Sequence, residues 1–105
     1  MQNLRRALPP LASLLPFEAA ARLLSFTAAS REIGLTQTAV SQHIKALETQ
    51  LDAKLFVRRP KSLQLTDAGK AYLSTVREAL DMLDMSTTGL FGPRRARSIT
   101  RVAME

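Results

Sequence analysis

The amino-acid sequence predicts a mainly α-helical domain that carries one short β-hairpin and ends in a long helix. Three observations support this prediction. Apolar residues recur at helical spacing, most regularly between residues 36 and 51. Two short runs of β-forming residues flank a basic loop that contains Pro60. A threonine suited to cap a helix precedes three of the helical segments, at Thr27, Thr36 and Thr66.

The composition indicates one folded domain with a polyanionic partner. The chain has 105 residues, 46% of them apolar, which is enough for one modest hydrophobic core. Fifteen lysine and arginine residues against nine acidic ones give a net charge of +6, which suits nucleic acid or an anionic membrane. The chain has no cysteine, and no apolar run approaches the roughly 18 residues of a membrane span. We therefore expect a soluble, cytoplasmic protein with no membrane partner.

The charge is unevenly distributed and predicts three segments. Residues 1–66 carry nine basic and four acidic side chains, whereas residues 67–90 carry two and four. The glycine- and proline-containing stretch 89–93, followed by Arg94, Arg95 and Arg97, is typical of a linker. We expect a nucleic-acid-binding domain over residues 1–65, a linker helix over 66–88, and a hinge with the start of another domain over 89–105.

Two short helices are predicted first. The first covers about Leu11 to Leu24, with Pro16 expected to delay its start because proline is tolerated only in a first turn. Its predicted core stripe consists of Phe17, Ala20, Ala21 and Leu24. The second covers Ala28 to Ile33, capped by Thr27 with Phe26 packed just before it, and ends at Gly34.

The third helix has the most regular apolar pattern in the chain. It follows the cap Thr36 and extends to about Leu51, with Val40, Ile44, Leu47 and Leu51 on one face. Two strands, residues 55–57 and 63–65, then enclose a five-residue loop over 58–62, which is too long for a two-residue turn. A short helix, a turn and a longer helix followed by a hairpin predict a winged helix-turn-helix.

The last helix is predicted to follow Thr66, with Asp67 at its positive end, and to reach Thr88. Four of its apolar residues are spaced as a heptad seam, and two more form a second stripe beside it. One stripe can cover the domain and the other a partner, although a helix that only completes a monomer core has the same pattern. We expect a homodimer through this linker (dimerisation) helix, with interface residues Tyr72, Leu73, Val76, Ala79, Leu80 and Leu83.

The outward face of the third helix carries side chains that can bind DNA. Gln42 offers a donor and an acceptor to a base edge, Lys45 can bind phosphate or guanine, and Ser41 and Thr38 can bind either base or backbone. Gln37 points toward the groove floor if the helix enters by its N-terminus. Taken alone, this face is more typical of a solvated helix surface than of a DNA-binding one.

The wing and the charge distribution favour DNA binding. Arg58, Arg59 and Lys61 lie together in the predicted hairpin loop, where they can bind phosphates or reach a minor groove. A solvated basic loop is the alternative, but the turn stiffened by Pro60 favours positioned contacts. His43, the only histidine, lies between the core and outward faces and is assigned no catalytic role. No pair of carboxylates, activated nucleophile, metal cluster or phosphate loop predicts an enzyme, and we expect no cofactor in this segment.

Five sequence blocks together resemble the N-terminal domain of LysR-type transcription regulators, over about residues 8–88. The blocks are Phe26-Thr27-Ala28-Ala29, Thr36-Gln37-Thr38-Ala39-Val40-Ser41, Ile44-Lys45-Ala46-Leu47-Glu48, Leu55-Phe56-Val57-Arg58-Arg59 and Leu65-Thr66-Asp67-Ala68-Gly69. The opening Leu8-Pro9-Pro10-Leu11 is most similar to the branch that contains glycine-cleavage and β-lactamase regulators.

The resemblance implies a bacterial transcription regulator that binds double-stranded DNA as a dimer on a dyad site, with the helix at about 36–51 in the major groove. It further implies tetramers in the full-length protein and an absent C-terminal domain that binds a small-molecule effector, whose first strand residues 98–105 resemble. The positions implied to contact DNA are Thr27, Gln37, Thr38, Ser41, Gln42, Lys45, Arg58 and Arg59.

Two features depart from the family pattern. Gln42-His43 stands where Arg-Gln or His-Gln is frequent, so the base preference cannot be carried over. Ser30 stands where a buried alanine is common, and it therefore needs a hydrogen bond to its own helix. Two further interpretations stay open: a winged-helix DNA-binding protein of another family, and a winged helix that binds only protein.

Overall fold

The computed structural model describes residues 8–92 and divides them into two compact units, one ending at Ser74 and the other beginning at Thr75. Within the described residues the fold is mainly helical, with one antiparallel hairpin, as the sequence predicts. The predicted strand over 98–105 lies outside the described residues. The elements are α1 (Leu11–Leu23), α2 (Phe26–Ile33), α3 (Gln37–Leu51), β1 (Phe56–Arg59), β2 (Ser62–Leu65) and α4 (Asp67–Phe91).

Helix α1 begins at Leu11 despite its internal proline, so the expected delay is wrong. The Pro10 carbonyl accepts hydrogen bonds from the amides of Ser13 and Leu14, which starts the helix ahead of Pro16. Pro16 removes one helical hydrogen bond, and burial of its ring in the core offsets that loss. The predicted core residue Leu24 is also wrong, because it adopts φ 50° at the end of the helix and is 47% exposed.

Helix α2 begins two residues earlier than predicted. Its N-cap is Ser25, whose Oγ accepts a hydrogen bond from the Ala28 amide at 3.0 Å, and not Thr27. Gly34 ends the helix as expected, with φ 73° and its amide bonded to the Ser30 carbonyl. The hydrogen bond required of the buried Ser30 is also present, since its Oγ donates to the Thr27 carbonyl at 2.7 Å.

Helix α3 has the predicted start, end and buried face. The Thr36 Oγ1 accepts from the Ala39 amide at 3.0 Å and caps the helix. Val40, Ile44 and Leu47 are each at most 1% exposed, which confirms these three members of the predicted stripe. Leu51, the fourth predicted member, is only half-buried at the end of the helix. Asp52 ends the helix in a left-handed conformation, φ 52°.

The hairpin is tighter than predicted. Arg59 pairs with Ser62, so only Pro60 and Lys61 form the turn and the expected five-residue loop is wrong. Arg58 and Arg59 are therefore strand residues whose positions are set by the β ladder. Proline at the first turn position has its φ fixed by the ring, which restricts the conformation of the chain at the reversal.

A cluster of aromatic rings joins the elements of the first unit. The ring of Phe17, which is fully buried, lies 5.8 Å from Phe56 and 5.6 Å from Tyr72, measured between centroids. Phe26 packs edge-on against Phe56 at 5.4 Å. The rings of α1, α2, β1 and the start of α4 therefore share one core, and such edge contacts add to the stabilisation from burial.

Thr66 and Gly69 hold the start of α4 against Lys54 and Leu55, the two residues that precede β1. The Thr66 Oγ1 donates to the Lys54 carbonyl at 2.6 Å and accepts from the Gly69 amide at 3.0 Å. Gly69 is buried beside the Leu55 carbonyl, and a Cβ at this position would lie 2.2 Å from that oxygen. Only glycine allows this close approach of helix and strand.

The second unit continues α4 from Thr75 to Phe91, so the predicted end at Thr88 is three residues early. Gly92 ends the helix with φ 84°, its amide donating to the Thr88 carbonyl at 2.7 Å. Several large apolar side chains are exposed here, namely Met82, Leu83, Met85, Leu90 and Phe91. Among residues 8–92, none of the helices combines the length and the hydrophobicity of a membrane span.

Candidate nucleic-acid interface

Helix α3 presents its polar face outward and its apolar face to the core. Gln37, Thr38, Gln42 and Lys45 are exposed and Ser41 is half-buried. These five predicted DNA-binding residues line one open groove along the helix. The structure therefore brings them together, and the groove offers hydroxyl, amide and ammonium groups to a ligand.

The hairpin is fixed to α3 by Glu48, a residue the sequence interpretation did not identify. The Glu48 Oε2 accepts hydrogen bonds from the amides of Leu55, at 2.7 Å, and Phe56, at 3.3 Å. The carboxylate lies mostly out of solvent, and its other oxygen is 4.0 Å from the Lys54 ammonium. A seven-residue separation in sequence gives no periodic signal for this contact, so only the structure reveals it.

Arg58 bridges the wing and α3. Its Nη2 donates to the Ser41 Oγ at 3.2 Å, and its guanidinium carbon lies 4.7 Å from the centroid of the Phe26 ring. A second open groove lies between α3 and the hairpin and is lined by Ser41, Ile44, Lys45, Glu48, Lys54, Phe56 and Arg58. Lys54 was not predicted as a site residue, although it adds an exposed ammonium group at this edge.

The other predicted basic residues of the wing are exposed. Arg59 lies at the end of β1 and Lys61 in the turn. Within residues 8–92, neither these two nor Lys45 has a carboxylate within 4.0 Å, so their charges are available to an external anion. Thr27 lies exposed in the first turn of α2, outside both grooves.

Arg22 and His43 are occupied by contacts inside the domain. The Arg22 guanidinium binds Glu18 at 2.8 Å and also Glu32, so it joins α1 to α2. Hydrogen bonds from Glu18, then from Glu32, raise the pKa of Arg22 above its usual value. His43 is half-buried, with its Nδ1 3.4 Å from the Ser13 Oγ. The part of the chain that the structure describes contains no cluster of metal-ligating side chains.

The predicted interface residues of α4 differ in exposure. Tyr72 packs on Phe17 inside the first unit, and burial raises the pKa of its phenol. Val76 is buried and Leu73 and Leu80 are half-buried, whereas Ala79 and Leu83 are exposed. The exposed members, with Leu83 at 58%, are the ones whose apolar surface is open to a partner.

Comparison with known sequences assigns the family. The model of the bacterial regulatory helix-turn-helix protein, lysR family, matches residues 11–70, which cover more than half of the chain and include α1, α2, α3 and the hairpin. This chain belongs to the lysR family. Its members are regulatory proteins, and the prediction that the chain is not an enzyme agrees with that membership.

The relatives are transcriptional activators, among them a glycine cleavage system activator of the kind that the opening segment indicates. The lysR-family chain is 49% identical over 85 residues to a glycine cleavage system transcriptional activator homolog of Haemophilus influenzae. It is 47% identical over 87 residues to the HTH-type transcriptional activator AmpR of Citrobacter freundii. These matches cover 81% and 79% of this chain but only 28% and 30% of the relatives. The chain thus spans less than a third of their length.

A solved DNA complex has a similar structure. The BenM_DBD/catB site 1 DNA complex matches with a TM-score of 0.73 and 25% identity, covering 77% of this chain and 90% of that chain. The match confirms the winged helix-turn-helix predicted from the sequence.

Proposed function

We propose that this lysR-family chain binds double-stranded DNA in the cytoplasm as the sequence-reading domain of a transcription regulator. Helix α3 enters the major groove, where Gln42 and its neighbours Gln37 and Thr38 read base edges. The observation that carries this proposal is the division of α3 into an exposed polar face and a fully buried apolar face. The structural similarity to a DNA-binding domain solved in complex with DNA also supports DNA binding.

The wing supplies the electrostatic part of binding. Arg59 and Lys61 are exposed and have no carboxylate within 4.0 Å among residues 8–92, so their charges can neutralise DNA phosphates and release counterions. Lys45 adds a third charge from α3 itself. Thr27 is included because its side chain is exposed near the positive end of α2, where a phosphate oxygen is stabilised.

The chain acts as a homodimer on a DNA site with dyad symmetry. Its support is the heptad spacing of Leu73, Val76, Leu80 and Leu83 on α4, together with the exposed apolar surface of Leu83. Two copies related by a twofold axis would each place one α3 in the major groove, about one helical turn of DNA apart or a multiple of it. The residues proposed for the interface are Tyr72, Leu73, Val76, Ala79, Leu80 and Leu83.

The three sequence segments have different roles in this proposal. Residues 1–65 bind DNA, residues 66–88 link and dimerise, and residues 89–105 lead into a second domain that takes a small-molecule effector. The relatives are about three times longer than this chain, which agrees with such a second domain. Assembly of dimers into tetramers belongs to that longer protein.

Selection of bound duplexes from a random pool tests the proposal. We expect the 105-residue chain to enrich a sequence with dyad symmetry, and its affinity for that sequence to fall as salt rises. A protein-binding winged helix would enrich nothing. Enrichment of a single half-site without a dyad would contradict the dimer and leave the DNA-binding surface in place.

A further inference from the structure

Two side chains of the proposed DNA face are joined to each other. The Arg58 Nη2 donates to the Ser41 Oγ at 3.2 Å, across 17 residues of sequence. The Arg58 guanidinium also lies over the Phe26 ring, at 4.7 Å from its centroid. That ring is held edge-on against Phe56 at 5.4 Å. The Phe26 ring and the Ser41 hydroxyl therefore together fix the position of the Arg58 guanidinium.

The same contact fixes the role of the Ser41 hydroxyl. An arginine side chain has hydrogen-bond donors and no acceptor, so the Ser41 oxygen must be the acceptor. The hydrogen of the Ser41 hydroxyl can then be donated to another acceptor. Within residues 8–92 the Ser41 hydroxyl donates to no carbonyl or side chain. Ser41 thus presents a donor toward the groove that it lines with Gln42 and Lys45.

We propose that Arg58 is a positioning residue that acts through Ser41, and that Ser41 donates a hydrogen bond to an acceptor on DNA. This inference rests on the proposed function. The acceptors of matching chemistry are phosphate oxygens and, in the major groove, guanine O6 and N7, adenine N7 and thymine O4. Arg59, one residue further along β1, makes no such contact with α3 in the described chain and contributes through its charge.

The two arginines therefore differ in how they depend on Ser41. Without Arg58 the hydroxyl is free to rotate, and its contribution to binding is lost. Without Arg59 the hydroxyl keeps its orientation, and only a phosphate contact is lost. Neighbouring groups in one hydrogen-bond network give non-additive effects, whereas independent contacts multiply in the dissociation constant.

A double-mutant cycle on the duplex selected by the parent chain tests this. Ser41→Ala should weaken binding roughly tenfold in the parent and in the Arg59→Ala background, a loss typical of one hydrogen bond to DNA. In the Arg58→Ala background the same change should cost less than about twofold. An equal loss from Ser41→Ala in all three backgrounds overturns the inference.

Arg58→Lys guards against the possibility that Arg58→Ala harms folding. Lysine keeps the charge, so the salt dependence of binding should match the parent. Lysine lacks the planar guanidinium, which in Arg58 stacks on the Phe26 ring and at the same time donates a hydrogen bond to Ser41. In the Arg58→Lys background, Ser41→Ala should therefore again weaken binding only slightly. If lysine preserves the full effect of Ser41→Ala, Arg58 acts by charge alone and the inference fails.

Random-pool selection with Ser41→Ala identifies the acceptor. Loss of preference at one position per half-site assigns a base edge, whereas weaker binding with unchanged preference assigns a phosphate oxygen. Both outcomes support the donor role. Failure of the parent chain to select any duplex would instead reject the proposed function, so the two failures are distinguishable.

Discussion

At the scale of single residues, the structure depends on close contacts that the sequence only partly predicts. Gly34 and Thr36 were predicted correctly, because a left-handed helix end and a side-chain cap are local requirements. The N-cap of α2 was predicted at Thr27 but lies at Ser25, because both side chains can cap a helix and the local sequence does not choose between them.

Gly69 gives the clearest prediction at this scale. A Cβ there would lie 2.2 Å from the Leu55 carbonyl oxygen, so Gly69→Ala forces α4 away from the strand entry. We expect a loss of about 3 kcal/mol in the free energy of unfolding, the size of an overpacked core site. Urea unfolding of the variant measures it.

Gly89→Ala is the matched control on the same helix. Nothing lies within 4 Å of a Cβ at Gly89, so alanine should stabilise the helix by about 0.5 to 1 kcal/mol. Equal stability of the two variants would mean that α4 does not approach Leu55 closely.

At the scale of elements, the Glu48 carboxylate of α3 connects this helix to the start of the hairpin. Periodicity predicted both elements, since apolar repeats and alternating strands are local patterns. It could not predict Glu48, because a carboxylate on a helix is usually solvent-exposed, and its two amide partners are supplied only by the folded hairpin. The tight Pro60-Lys61 turn was missed for a related reason, since the strand register assigns Arg58 and Arg59 to β1.

Glu48→Ala should therefore loosen the wing. It leaves the amides of Leu55 and Phe56 without their acceptor, which costs about 2 to 3 kcal/mol for partly buried donors. Thermal melting and hydrogen exchange at these two amides measure the effect. Glu78→Ala, at an exposed position of α4, should change stability by no more than about 0.5 kcal/mol. Unchanged exchange at Leu55 would show that the carboxylate does not hold the strand.

At the scale of the whole molecule, the fold and the polar outer face of α3 were predictable, whereas DNA binding by that face and the assembly of two chains remain proposals. The +5 balance of residues 1–66 and the polar face of α3 follow from the sequence. The sequence does not show which apolar residues of α4 would face a partner, because both apolar stripes of this helix have helical spacing. In the structure, Tyr72 packs on Phe17 inside its own domain, whereas Leu83 is 58% exposed and can contact a partner.

Leu83→Glu tests the dimer without disturbing the core. A charge placed in an apolar seam between two chains must be desolvated, so the variant should sediment as a monomer at concentrations where the parent is a dimer. Met85→Glu changes another exposed apolar residue, on a different face of α4, and should keep the parent's mass. Dissociation by both variants alike, or by neither, would assign the interface elsewhere.

We propose that α3 reads DNA with one face and holds the fold with the other, and paired variants at Gln42 and Ile44 separate these two roles. Gln42 is exposed, so Gln42→Ala should leave the melting temperature nearly unchanged. It should cost about 1 to 3 kcal/mol on the selected duplex and relax selection at one position per half-site. Ile44 is 1% exposed, and Ile44→Ala should destabilise the fold by about 2 to 5 kcal/mol while the folded fraction keeps the parent's base preference.

The decisive measurement is random-pool selection with both variants, read beside their melting curves. We expect Gln42→Ala to show altered base preference with normal melting, and Ile44→Ala to show normal base preference with early melting. A Gln42→Ala variant that melts early, or that selects the same duplexes as its parent with undiminished affinity, would contradict the placement of α3 on DNA.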